Sequence, residues 1–165
     1  MITQEELKEL FTYCEETGNL IRKVSLSGGA MAGDIAGSKN KRGYIAVKVK
    51  GESYLLHRVI WVMVYGSIDS KLGIDHINGI KDDNKINNLR LVTQAINNKN
   101  AKKQNDNKSG VTGVRWDKVR LKWVSRISSN GKLIYLGAFT NIKDAAKARA
   151  KAEIKYGFHE NHGRD

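Results

Sequence analysis

The chain of 165 residues contains no proline and a single cysteine, Cys14. At the usual frequency of about 5%, roughly eight prolines would be expected. Their absence excludes proline-rich linkers and collagen-like repeats. One cysteine permits no internal disulfide and no cysteine-built zinc site, which removes the disulfide-scaffold class and any argument for secretion. No stretch approaches about 18 consecutive apolar residues, and no charged-then-apolar leader opens the chain, so neither a membrane span nor a signal peptide is expected. Acidic residues are the other shortage: 17 Asp and Glu face 29 Lys and Arg, a net charge of +12. Apolar residues make up 40% of the chain, enough for one sizeable core or two small ones.

The charge that is present is unevenly placed. Residues 1–104 carry 16 basic against 11 acidic side chains, and residues 105–165 carry 13 against 6. From Asn84 to Lys132 there are 12 basic residues, with only Asp106 and Asp117 opposing them. Trp116, Trp123 and Tyr135 lie in or beside this stretch. A field so one-signed, with aromatics interleaved, suits a polyanion. Solubility alone is the weaker account. Membrane-surface binding is weaker again, because no strongly apolar helical face accompanies the charge.

Four blocks can be read along the chain, and together they predict an α+β protein. In the first, Ile2 to about Tyr13, Thr3 can cap a helix with Glu5 and Glu6 in its first turn. Leu7, Leu10 and Phe11 form its apolar stripe. The second block, Asn19 to Gly66, contains an alternating strand over Gly43–Gly51, a hairpin return ESYLL, and an apolar stretch whose ten breaker-free residues predict a helix over Leu56–Tyr65, stopped by Gly66. The third holds an Asn78-Gly79 turn between short apolar segments, then a polar helix from Gln94 to about Lys103 behind Thr93. NDNKSG, Asn105–Gly110, reads as a linker. The fourth block contains three strand-like segments, VTGVRWD, KWVSRISS and KLIYLGAF, and an alanine-rich helix ending at Gly157. Ile142, Ala145, Ala146, Ala152 and Tyr156 share a face of that helix. Arg149 interrupts the face, with its stem expected along the apolar surface and its charge in water; Ile154 lies off the stripe. The predicted organisation is a domain over 1–104 with its core at about 72–104, a linker over 105–110, a three-stranded sheet plus helix over 111–157, and a tail over 158–165.

Chemistry concentrates in the third block, where seven of the 23 residues from Asn78 to Asn100 are asparagine. Turn usage accounts for Asn78, Asn84 and Asn87. It does not account for Asp75 beside His76, nor for Asn88 and Asn97. Asp75 and Asn97 offer two hard oxygens for one divalent ion, Mg²⁺ or alternatively Mn²⁺. His76 is the residue here that can take a proton near neutrality. A metal clamp on a phosphate plus a histidine base suffices for phosphodiester hydrolysis. A surface hairpin with a structural histidine is the competing reading of an Asp-His pair alone.

The segment IDHINGIKDDNKINNLRLVTQAINNKN resembles the signature of the HNH endonucleases, in the branch containing phage and intron-encoded homing enzymes. That resemblance implies a ββα-metal motif, with a hairpin carrying the catalytic histidine and a helix bringing the last ligand. It implies Asp75 as a metal ligand, His76 as general base, Asn88 as the residue holding the histidine-bearing loop, and Asn97 where many members have a final histidine. Asn98 is the near rival for that ligand and Asn100 the remoter one. The paired cysteines with which some relatives hold a structural zinc are missing, so no zinc is expected and the core must close by apolar packing of Leu56–Tyr65 against Leu89, Leu91 and Val92. His57-Arg58 matches the family's HR ahead of this block and is read as structural or phosphate-facing. Arg90 is the nearby candidate for phosphate contact.

Residues 108–157 resemble the three-stranded DNA-binding domain of the plant ethylene-response factors, on G-V-R-W, K-W-x-x-x-I, L-G-x-F and the alanine-rich helix. This implies a sheet lying in a DNA major groove. The expected DNA-facing residues are Arg115, Trp116, Arg120, Lys122, Trp123, Arg126 and Lys132, with Trp116 open between a core plug and a stacking residue. Leu136, Phe139, Ala145 and Ala146, with Ile154 a marginal member, are expected in the core. The leading expectation is thus a metal-dependent endonuclease on double-stranded DNA, cytoplasmic in a bacterium or phage-infected cell, a monomer or weak dimer. The alternatives are a DNA-binding regulator that has lost cleavage and an RNA-binding protein.

Overall fold

The structure, a computed structural model, describes all residues except Met1, Ser27, Lys102, Gln104 and Asp165. It is of the α+β class, built from short helices and small antiparallel sheets. The chain forms two compact units, residues 1–94 and residues 95–165.

In the first unit, helix α1 spans Gln4–Leu10 behind a capping box, with Thr3 Oγ1 accepting from the Glu6 N–H and Glu6 accepting from the Thr3 N–H. The helix stops at Leu10, short of the expected Tyr13. Phe11 turns into extended backbone and begins β1 (Phe11–Cys14), paired with β2 (Asn19–Arg22). The β-branched and aromatic residues of Phe11-Thr12-Tyr13 favour a strand, and Phe11 still reaches the core from there. Two short strands follow, β3 (Ile35–Ala36) against β2 and β4 (Ser38–Lys39) against β5 (Ile45–Val49). The hairpin of β5 with β6 (Glu52–Leu55) leads directly into α2 (Leu56–Tyr65). Gly66 ends α2 with φ +87, its N–H bonded to the Val62 carbonyl.

Leu56, Val59, Ile60 and Met63 of α2 pack with Leu7, Phe11, Leu20, Val47, Val49 and Leu89 in one core. Val92 is buried and Leu91 half-buried. The core therefore closes by apolar packing around α2. The last hairpin of the unit pairs β7 (Gly73–His76) with β8 (Leu89–Val92), and a single 3₁₀ turn, Ile86–Asn88, precedes β8.

The polar helix α3 covers only Gln94–Asn98, short of the expected Lys103, a stretch in which Lys102 lies outside the described residues. It has no buried residue to anchor further turns. The backbone beyond it bonds instead to the chain's end: His159 N–H to Lys99 O, Gly163 N–H to Ala101 O, and Lys103 N–H to Arg164 O. The division between units falls before Ala95, and hydrogen bonds join residues of the 158–164 tail to Lys99, Ala101 and Lys103.

The second unit's sheet has the order β11–β10–β9, with β9 Val114–Asp117, β10 Lys122–Ser129 and β11 Lys132–Phe139. Helix α4 (Ile142–Lys155), capped by the Asn141 side chain, packs on it. Ala145 is buried, while Leu136, Phe139 and Ala146 are half-buried. Ile154 is 83% exposed and belongs to no core. Arg149 corrects the sequence expectation. Its guanidinium is buried and not in water, donating to Glu153 Oε1 at 2.7 Å, to the Arg126 carbonyl at 2.6 Å and to His162 Nε2 at 3.1 Å. Gly113 makes room for it, since a Cβ there would stand 2.2 Å from Arg149 Nη1.

Candidate active site

Strand pairing assembles the first part of the site. The β7–β8 register sets Asp75 opposite Arg90 and His76 opposite Leu89. Arg90 Nε and Nη2 both donate to Asp75 Oδ2, at 3.1 and 2.8 Å. The guanidinium expected on phosphate thus holds the carboxylate expected on metal. Asp75, His76 and Asn88 are all buried or nearly so.

The loop from His76 to Asn88 is closed by its own asparagines. Asn88 Oδ1 accepts from the Asn78 N–H at 3.0 Å, and its main-chain carbonyl accepts from the Ile77 N–H at 2.8 Å. Its Nδ2 donates to the Asp83 carbonyl at 2.8 Å and to Asn78 Oδ1 at 3.0 Å. Asn78 Nδ2 donates in turn to Asp83 Oδ2 at 2.7 Å. Together these bonds fix the path of the chain that follows His76.

The His76 ring lies beside Asn84, whose Oδ1 is 3.1 Å from Nε2. Asn84 is 2% exposed and does more than make a turn. The β1–β2 hairpin supports it. Tyr13 Oη donates to the Asn84 carbonyl and accepts from the Ile86 N–H at 2.8 Å. Gly18, at φ +76, lies so close that a Cβ would stand 2.7 Å from Lys85 N. On the other side, His57 meets His76 edge-on with ring centres 5.0 Å apart, and Tyr44 borders both histidines at 5.5 and 6.0 Å. Lys81 Nζ sits 4.8 Å over the Tyr44 ring, and the exposed Lys39 pairs with Asp82, so two cations border the loop.

Burial holds both imidazoles neutral. The His76 pKa is lowered because desolvation outweighs its bond to Asn84 and the charges of Asp75, Asp83 and Asp82. His57 is pushed down to about 3 by burial, with His76 and Arg58 adding to the effect. Its Nδ1 is buried and has no hydrogen-bond partner among the described residues. An unprotonated imidazole beside a carboxylate can accept a proton from water. Among the described residues no group of three or more His, Cys, Asp or Glu could hold a metal.

Arg58 is exposed on α2. Asn97 is half-buried and Asn98 exposed on α3, in the second unit. Asn100 is buried, with its carbonyl accepting from Arg164 Nη1 at 2.5 Å.

The β9–β11 sheet divides the expected DNA-facing set. Its pairing passes from Ser125 opposite Gly137 to Arg126 opposite Tyr135, so Leu136 is an extra residue in β11 and β10 alternates without interruption. Lys122, Val124, Arg126 and Ser128 share one face with Arg115, Leu133 and Tyr135. Leu133 and Tyr135 are 65% and 55% exposed there, while Val124 on the same face is fully buried. With Arg120, which pairs with Asp117 at 3.3 Å, Leu133, Tyr135 and Arg126 line a surface depression of about 410 Å³. Trp116, Trp123 and, at the hairpin end, Lys132 fall on the opposite face, which carries the buried Ile127. The two indoles meet edge-on at 5.2 Å, and Trp116 keeps 42% of its surface exposed because β9 is an edge strand.

Asn84, Tyr13, Gly18 and Tyr44 at the first site, and Leu133 at the second, were not expected as site residues. Asn84 could have been suspected from its place just after two aspartates within the histidine loop. Tyr13 carries no sequence signal, because its partner lies 73 residues away.

A family model and two known proteins are similar to parts of this chain. Residues 54–99 match the family model of the HNH endonucleases. The chain is 34% identical over 76 residues to Protein 3.8 of Escherichia phage T7, covering 46% of this chain and 63% of that protein. A solved structure described as DNA binding and cleavage by the HNH homing endonuclease I-HmuI matches at 26% identity and a TM-score of 0.40, over 53% of this chain and 48% of that one. The chain thus spans less than two thirds of the phage relative and about half of the solved one. Among the described residues no helix is long and apolar enough to cross a membrane.

Proposed function

We propose that this chain, an HNH-type protein over residues 54–99, is a metal-dependent DNA endonuclease of the homing type that nicks or cleaves duplex DNA at a preferred site. The observation that carries the reading is a neutral, buried His76 fixed beside Asp75 at the end of a loop closed by Asn88. Asp75 would hold the divalent ion, Mg²⁺ or Mn²⁺, and the family resemblance would give Asn97 as its amide ligand. Both donors are hard oxygens, a type that suits such an ion and leaves water and phosphate to complete the shell. When bound, the ion supplies Lewis acidity at the scissile phosphate. His76 takes a proton from water, the resulting hydroxide forms the new P–O bond, and the bond to the leaving oxygen breaks as that oxygen gains a proton from solvent. Asn88 keeps His76 in place through the backbone. Arg90 orients Asp75 and presents its remaining N–H groups toward a bound phosphate.

The second unit supplies position on DNA. Arg115, Lys122, Arg126 and Arg120, with Tyr135, form the basic, partly aromatic surface for it, and the ethylene-response resemblance supports a sheet placed in the major groove. Trp116 and Trp123 brace that sheet from its other face.

A DNA-binding regulator without cleavage is the second reading, favoured by one observation: the Asp75–Arg90 pair already neutralises the carboxylate. Supercoiled duplex DNA incubated with the protein and Mg²⁺ or Mn²⁺ separates the two. Nicking that chelator abolishes supports the nuclease; binding with no nicking under either metal supports the regulator.

A further inference from the structure

We propose that Arg164 is a positioning residue for the nuclease motif: through Asn100 it holds the end of α3, the helix that carries Asn97. The inference rests on the nuclease reading for its catalytic meaning, and on hydrogen bonds within residues 95–164 for its geometry.

Helix α3 cannot hold itself. It has five residues, Gln94–Asn98, with none of them buried, and so short a helix has no stability of its own in water. Its last carbonyls are taken up by the turn that follows. The N–H groups of Lys99, Asn100 and Ala101 donate to the carbonyls of Ile96 at 3.0 Å, Asn97 at 3.0 Å and Asn98 at 3.4 Å. Asn100 anchors that turn, with 2% of its surface exposed. Arg164 Nη1 donates to the Asn100 carbonyl at 2.5 Å, to Asn100 Oδ1 at 3.3 Å and to the Asn161 carbonyl at 2.9 Å. One guanidinium therefore ties its own turn of chain to the turn that closes behind Asn97.

The chain around Arg164 is itself pinned. The Gly163 N–H donates to the Ala101 carbonyl and the Lys103 N–H to the Arg164 carbonyl, each at 2.9 Å, while the His159 N–H donates to the Lys99 carbonyl at 3.1 Å. Lys99 Nζ donates to the Tyr156 carbonyl at 2.7 Å and stands 5.6 Å over the Phe158 ring, which Arg149 also covers at 5.3 Å. Phe158 meets His162 edge-on at 4.7 Å, and His162 Nε2 lies 3.1 Å from the buried Arg149. Gly163 sits at φ +74, where an added Cβ would stand 2.9 Å from Thr112 Oγ1, so the path requires glycine. Residues 158–164 thus form a strap that runs from the end of α4 back along residues 99–103. The match to the HNH family model stops at residue 99. The strap lies outside that match and still bonds the turn that ends its last helix. Arg164 touches no reacting atom in this scheme; it acts through Asn100.

Amide hydrogen exchange on the full chain, paired with nicking of supercoiled DNA at increasing Mg²⁺, tests this. In the wild type the N–H groups of Asn100 and Lys103 are expected to be protected. Arg164→Ala is expected to speed exchange at Lys99, Asn100, Ala101 and Lys103 about 10-fold, with the β9–β11 strands unchanged. The Mg²⁺ concentration for half-maximal nicking should rise about 10-fold, while KM for DNA stays the same. Arg164→Lys keeps a cationic donor and is expected to recover most of both losses. Wild-type amides at Asn100 and Lys103 that exchange as freely as an unstructured chain would overturn the proposal without any variant. So would Arg164→Ala with wild-type exchange at these residues, or with faster exchange and an unaltered Mg²⁺ requirement. If Arg164→Ala does not fold, wild-type protection and the exchange of Arg164→Lys decide in its place. If the wild type cuts no DNA at any Mg²⁺ concentration, the nuclease reading fails, while the exchange rates still judge Arg164's hold on α3.

Discussion

Between His76 and Asn88 the side chains of Asn78, Asp83, Asn84 and Asn88 bond one another and the backbone, with His76, Asn84 and Asn88 buried, whereas on one face of the β9–β11 sheet Arg115 and Lys122 are exposed and Arg126 is half-buried. The first region spends its polar groups on geometry. The second keeps them available as charge. A buried network loses much when one member is removed, because the others are left unsatisfied; an exposed cation loses only its own contacts. Substitutions should therefore separate the two regions by kind: stability and chemistry in the loop, affinity and salt dependence on the sheet.

The largest stability effect is expected at Asn88→Ala. It strands the Asn78 N–H and the Asp83 carbonyl inside the loop, and should cost about 2–3 kcal/mol in denaturant unfolding. Arg126→Ala, by contrast, should change stability by no more than about 0.5 kcal/mol. Similar loop and sheet losses would erase the contrast.

Acid should weaken the loop's surroundings next. His57 falls from an ordinary 6.5 to about 3 in the folded chain. The unfolded chain therefore binds a proton that the folded one refuses once the pH drops below about 6.5. This contribution to stability is complete above that value and is lost as the pH falls toward 3, by up to about 1.4 kcal/mol per pH unit. Unfolding followed from pH 7 to pH 5 should show the slope, and His57→Phe should flatten it.

Gly18→Ala tests how far the first hairpin buttresses the site. The residue sits at φ +76 with Lys85 N only 2.7 Å from the added Cβ. A loss of about 1–2 kcal/mol is expected, together with reduced cleavage, because the displaced backbone is that of Asn84. Full activity in this variant would mean that the hairpin does not position the loop.

The smallest effect on the fold and the clearest on binding belongs to Arg115→Ala and Arg126→Ala. Each should weaken DNA binding and lower the slope of log K against log salt by about 1 if it contacts phosphate, with the metal-dependent step unchanged in DNA-saturated turnover. Trp116→Ala should instead loosen the unit, since its ring packs on Trp123 from the other face.

How much of this was legible in the sequence follows the range of the interactions. The β10–β11 hairpin could be read from alternation around Asn130-Gly131, and α2 from an unbroken apolar run stopped by a glycine, because both are local patterns. The Asp75-His76 pair could be read because two reactive residue types stand side by side. The end of α1 could not, since the stripe of Leu7, Leu10 and Phe11 suits a helix and a helix-to-strand switch alike. Arg149 was read as solvated because nothing local announces its partners, Arg126 O, Glu153 and His162, two of which come from other elements. Asn84 looked like turn vocabulary for the same reason. Its role depends on Tyr13 and Gly18, and only folding brings them to it.

The account's central claim is that His76 is the base of a metal-dependent phosphodiester cleavage. Single-turnover nicking of supercoiled DNA under saturating Mg²⁺, by wild type and by His76→Ala matched for folding and DNA affinity, tests it most directly. The account predicts that the substitution slows nicking by about 10²- to 10⁴-fold while DNA binding through the second unit persists. Nicking by His76→Ala at the wild-type rate would contradict it.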